Sequence, residues 1–392
     1  MINKEKLLEK LEGNDNLSKS ASLKKLLKLE ANNPELVPVQ KELVPLHFTS
    51  DIYYSLYSPT MCAYHAHKSG CFAVSINDYA TVKAYKELKK ACEILSLPYA
   101  CGYHVECKPL FNEKKAVLYG YGIAYKDYKD INDELFFVRE AKKQGVVKTI
   151  ENINKTIASY GITIPTKWVI KNKKKVITEK NVAKVIANIL IKKLGKDEAL
   201  LEFLKTALKI DSCENDLRFI KEQENSYFEE DLAKVIYTKY GLLKAKDKKE
   251  DVKKFIKINQ KYGVISAYRV QIKSFDEKQL KNIADTLLDN GFNAVTFKCN
   301  DIESSELDKI VDYFLERGLV AISLYRIGLP RQHMPTFEAS NQLYLNSLAV
   351  IGNAISVNCD SNDGLFGINM INSCNDLKKR IEIFSNIVKG RK

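Results

Sequence analysis

Residues 43–60 read LVPLHFTSDIYYSLYSPT: a short apolar run delivers a histidine and then a small polar residue, and a Ser/Tyr-rich turn follows. In a strand, residues i and i+2 point to the same face, so His-x-His at 47 and 49 would aim two imidazoles at one metal ion. Here Thr49 holds the second place. The rest of the chain must either complete a metal site around His47 or replace it.

Working outward, six further apolar runs follow: 72–77 (FAVSIN), 99–107 (YACGYHVEC), 117–125 (VLYGYGIAY), 264–270 (VISAYRV), 293–298 (NAVTFK) and 320–326 (VAISLYR). With 44–49 they make seven predicted strands. Amphipathic helices separate several of them. Residues 81–97 place Val82, Tyr85, Leu88, Cys92 and Leu95 on one face, and 304–318 form another helix. Apolar strands alternating with helices predict an α/β fold with a parallel sheet buried on both sides, open or closed into a barrel.

The organisation expected is a helical N-terminal segment (1–42), a first part of the sheet (43–128), an α-helical insertion packed beside it (129–258), and a second part ending in a C-terminal helix (259–392). Within the insertion, Thr178 is placed to cap a helix over 179–195.

Hydrophobic residues at 45% and charged residues at 28% describe a globular chain and exclude a disordered one. No apolar run reaches the roughly 20 residues of a membrane span, and the first residues lack the apolar core of a secretory signal. Nine scattered cysteines without a Cys-x-x-Cys pair predict reduced thiols, with neither a disulfide framework nor a zinc knuckle. The expectation is a cytoplasmic protein with no membrane partner. The net charge of +13 comes mostly from lysine, densest in KNKKKVITEK (171–180), which has no interleaved aromatics. Solvated surface explains that run, and a nucleic-acid contact is the alternative.

In α/β barrels the chemistry sits at the C-terminal ends of the strands. The residues there are His47 and Thr49, Asn77 to Tyr79, Glu106, Tyr119 to Tyr121, Tyr268 and Arg269, Lys298 and Cys299, and Tyr325 and Arg326. Together with Tyr57-Ser58-Pro59-Thr60, Asp78-Tyr79-Ala80, His104-Val105-Glu106, VISAY (264–268), GFNAVT (291–296) and LPRQ (329–332), they resemble the PHP (polymerase and histidinol phosphatase) family of metal-dependent phosphoesterases. The resemblance implies a distorted seven-stranded, TIM-like β/α barrel and a cluster of two or three metal ions.

Carried over one at a time, few of the family's ligands stand. His47 matches the first histidine, Asp78 the acid before a histidine now replaced by Tyr79, and Glu106 the third strand's glutamate. Thr49, Ala116, Tyr268 and Arg326 occupy or lie near other ligand places. A metal needs three or four converging ligands, so ordinary two-metal chemistry is not expected. His104 shares a strand face with Glu106, and with His47 the pair outlines one weak site for zinc or manganese; otherwise no cofactor is expected. His65 and His67 fall on a helix about 200° apart and point to nearly opposite sides. His333 has no partner near it in sequence.

Arg269, Arg326 and Arg331 lie at or after strand ends, with Asp78 and Tyr79 nearby in the pattern. Guanidinium groups grip phosphate without a cation. One reading is a pocket that binds a phosphorylated small molecule, a nucleotide or a partner without hydrolysing it. The other is that these arginines pair with Asp78 and Glu106 and stabilise the barrel mouth. An active phosphoesterase with a reduced site and a basic nucleic-acid-interacting protein are the alternative functions. Ser50, Ser55 and Ser58 have no evident base, and Gly120-x-Gly122 reads as strand packing rather than a dinucleotide motif.

Overall fold

The computed structural model describes residues 4–391 except 14, 114–115, 172–174, 211–226, 244–248, 329–331 and 333–340. The chain divides into two compact units, Met1–Leu135 with Lys249–Lys392, and Phe136–Lys248.

The first unit carries six strands: β1 (Val74–Tyr79), β2 (Tyr99–Cys107), β3 (Ala116–Ile123), β4 (Ile265–Arg269), β5 (Ala294–Phe297) and β6 (Val320–Ser323). They lie side by side in chain order. The sheet is mixed rather than parallel. β1 and β2 are parallel, as are β4, β5 and β6, but β3 runs antiparallel to both neighbours. The connection over 108–115 is the reason, because a parallel pair needs a crossover of roughly a dozen residues or more. Every residue of β1, β3 and β5 is buried, as expected for strands covered on both faces.

The seventh predicted strand, 44–49, is reduced to single bridges. Phe48 pairs with Ile76 of β1 on one side and with Ile327, beyond β6, on the other. Phe48 N–H donates to Ser75 O (3.2 Å), and Ile327 N–H donates to His47 O (3.2 Å). The segment is too short to count as a strand, since Pro45 has no N–H to donate and the chain turns after Ser50. It nevertheless links the two edge strands of the sheet, and so brings His47 against the inside of the curled sheet.

Helices cover the sheet where the apolar periodicity places them. Val82, Tyr85, Leu88, Cys92 and Leu95 are all buried, along helix Tyr85–Leu95 and its approach. Helix Asn341–Ser356 packs on β2, β3 and β6. A Cβ on Gly120 would meet the Tyr103 ring at 2.5 Å, and one on Gly122, at φ 69°, would meet Val350 O at 2.8 Å. These glycines are there for close approach. The second unit is helical, built on Phe136–Ile157, Glu179–Leu194, Glu198–Thr206 and Phe228–Lys239. Ile150, Ile153, Ile186, Leu190, Leu204 and Ile236 belong to its core. Thr178 caps Glu179–Leu194, its N–H and hydroxyl both donating to Asn181 Oδ1 (2.8 and 2.9 Å).

Candidate functional site

The bridged segment ends in Ser50, and β1 ends beside it. Ser50 N–H and Oγ donate to the two carboxylate oxygens of Asp78, at 2.8 and 2.6 Å. Both residues are buried, and burial raises the Asp78 pKa to about 7 against the lowering effect of the two Ser50 bonds. Strand alternation puts Asp78 on the face opposite Asn77 and Tyr79. Asp78 therefore fastens the turn after the first segment to β1.

The other face of these strands meets β3 in a cluster of aromatic rings. His47 Nε2 is hydrogen-bonded to Tyr121 Oη. The His47 ring lies edge-on to Tyr119 and Tyr121, at centroid distances of 5.3 and 5.4 Å. Tyr119 and Tyr121 stack on each other, and His104 stacks on Tyr119 (5.5 Å) while its Nδ1 meets Asn77 Oδ1 at 3.2 Å. Tyr53 and Tyr79 close the group around His104. All of these side chains are buried.

Arg326 enters this cluster from beyond β6. It is half-buried, and its Nη2 donates to Tyr119 Oη at 3.1 Å. Burial, and then the Arg326 charge, lower the His47 pKa to about 3, so the imidazole is neutral at any physiological pH. No carboxylate pairs with Arg326 among the described residues.

The structure thus gathers His47, Tyr79, His104 and Arg326, with Asp78 immediately behind them. Glu106 is instead ion-paired with Lys249. Arg269, the last residue of β4, opens into a different cleft with Asn112, Glu113 and Gln279. Arg331 and His333 lie outside the described residues. His65 packs against Phe48 and Tyr57 with its Nε2 unbonded, whereas His67 meets Glu30 at 2.8 Å. Tyr119-x-Tyr121 carried a sequence signal, two like side chains on one strand face. Lys249 and Glu113 carried none, since both reach in from irregular segments.

The residues present do not fit a metal ion. His47 Nε2 is engaged by Tyr121, Glu106 by Lys249, and both Asp78 oxygens by Ser50. Among the described residues no three His, Cys, Asp or Glu side chains are placed to hold one. A cation beside His47 would also face the Arg326 charge.

No family model and no curated protein matches the chain. Among solved structures it is similar to an amidohydrolase from Chromobacterium violaceum with sulfate bound and no metal. That match has 11% identity and a TM-score of 0.47 over 75% of this chain and 92% of that one. It is also similar to a candidate metal-dependent phosphoesterase from Bifidobacterium adolescentis, at 13% identity and a TM-score of 0.46 over 73% of this chain and 87% of that one. No described helix is long and apolar enough to cross a membrane.

Proposed function

We propose that this chain is a PHP-type, TIM-like barrel that binds a phosphorylated small molecule or nucleotide through Arg326 and does not hydrolyse it by metal chemistry. The observation that carries this reading is a half-buried guanidinium, braced by Tyr119 at 3.1 Å, with no carboxylate partner among the described residues. A buried or half-buried charge without a counter-charge is costly, and a bound anion removes that cost. The Tyr119 bond takes one N–H and orients the guanidinium plane, which leaves the remaining N–H groups for phosphate oxygens. The neutral His47 and the Ser50-bound Asp78 put little negative charge in competition with that anion.

The test is calorimetric titration of sugar phosphates and nucleotides in the presence of EDTA. Binding is expected without metal, and Arg326→Gln should weaken it at least about tenfold, the scale of one charge-assisted hydrogen bond. Arg326→Lys, which keeps the charge but loses the fork, should fall between. Phosphate release that requires manganese or zinc and disappears in His47→Ala would overturn the reading.

A further inference from the structure

The cleft at the end of β4 holds opposite charges that do not meet. It measures about 510 Å³, within the roughly 300–1,000 Å³ of small-molecule sites. Arg269 and Gln271 line it from the end of β4, Asn112 and Glu113 from the connection between β2 and β3, and Gln279 and Asn282 from helix Glu277–Asp289. Arg269 is half-buried and Glu113 likewise. The two do not pair with each other, and neither has an ion-pair partner among the described residues.

Glu113 is positioned for a ligand. Tyr268 Oη donates to its Oε1 and in turn accepts from Leu110 N–H at 3.1 Å. That chain fixes the carboxylate at the cleft wall, and no described residue bonds its Oε2. The amide side chains nearby can each donate or accept. A phosphate on Arg269 would carry its extra charge toward Glu113, whereas a carboxylate flanked by an ammonium group satisfies both residues.

We infer that this cleft binds a small zwitterion, an α-amino acid or a molecule with the same charged ends, its carboxylate on Arg269 and its ammonium on Glu113. This site is separate from the one proposed at Arg326, since neither Arg326 nor Tyr119 is among the residues lining the cleft.

Saturation-transfer NMR on the full chain with an equimolar pool of the twenty proteinogenic amino acids tests it. At least one amino acid should take up saturation. Its N-acetyl derivative and its carboxamide, each lacking one charge, should not. The signal should vanish in Arg269→Gln and in Glu113→Gln, which keeps an acceptor for Tyr268, and should persist in Arg326→Gln. Absence of any signal from the pool overturns the inference. So does equal binding of the N-acetyl or carboxamide form, a comparison that needs no variant. Retention of the signal in the Arg269 and Glu113 variants would place the amino acid elsewhere and overturn it too.

Discussion

Along the bridged segment, β1 and β2, every candidate ligand is engaged: His47 by Tyr121, Asp78 by Ser50, His104 by Asn77 and Glu106 by Lys249. At the ends of β4 and β6, Arg269 and Arg326 have no carboxylate partner among the described residues. The first side is hydrogen-bonded and nearly neutral, with His47 held uncharged by burial and Arg326, and the Asp78 pKa raised by burial. On the second side neither guanidinium is ion-paired among the described residues, although Tyr119 braces Arg326 and Glu113 lines the cleft of Arg269. The acids of the first side are engaged behind or beside the aromatic cluster, whereas Arg326 is braced by Tyr119 and meets no carboxylate among the described residues.

The largest effect expected on this contrast is at Asp78. Its carboxyl is buried and its pKa lies near 7 in the folded protein, above the 3.8 of a free side chain. The folded state therefore binds the proton more tightly than the unfolded state. Stability from this group is full below about pH 4 and is lost as pH rises through 7. The loss is on the order of 4 kcal/mol at 1.4 kcal/mol per unit, as an upper bound. Asp78→Asn keeps the shape and an acceptor for Ser50 N–H without the charge. Thermal melts from pH 4 to 8 should show the wild type losing stability relative to this variant as pH rises. Parallel melting curves would mean that Asp78 is charge-compensated and that the first side is not neutral.

Much of this arrangement was legible from residue spacing, and the failures have physical causes. The buried face of helix Tyr85–Leu95 follows from apolar spacing alone, because a helix on a sheet must bury one stripe. The strand ends pointed to His47, Asp78 and Arg326, since a strand carries its side chains to a rim at a fixed period. The direction of β3 did not follow from its composition, as a strand buried on both faces looks alike in either direction. It depended on the short connection over 108–115. The pairing of His47 with Tyr121 joins residues 74 apart in sequence, and only the curl of the sheet brings them together. Arg269 and Arg326 looked equivalent in the pattern. Their surroundings differ because the groups beside them, Glu113 and Tyr119, come from elsewhere in the chain.

A smaller effect is expected at Tyr121. Its hydroxyl meets the buried His47 Nε2, so Tyr121→Phe leaves a ring nitrogen without its partner in a site closed to water. An unpaired buried group costs about 1–3 kcal/mol. Urea denaturation should show a midpoint shift of that size with an unchanged slope. Anion binding at Arg326 should be nearly unaffected, because Arg326 bonds Tyr119 rather than Tyr121. Loss of anion binding in this variant would show that the two sides are coupled through the stacked tyrosines, and that treating them as separate is wrong.

The smallest effect belongs to Lys249. Its pair with Glu106 sits at the C-terminal end of β2, with Lys249 about one-third exposed. Ion pairs in such surroundings contribute roughly 0–1 kcal/mol, because water and salt screen the attraction and ordering a lysine has an entropic cost. Lys249→Met should therefore cost less than about 1 kcal/mol, and the difference from wild type should shrink further in 1 M salt, where the Debye length is about 3 Å. A larger, salt-insensitive loss would mean that Glu106 depends on Lys249 as a buried charge depends on its only counter-ion. Lys249→Met also removes one positive charge from beside Glu106. If the neutrality of this side is what admits an anion, the same variant should bind phosphate more weakly at Arg326 even though it leaves Arg326 itself untouched.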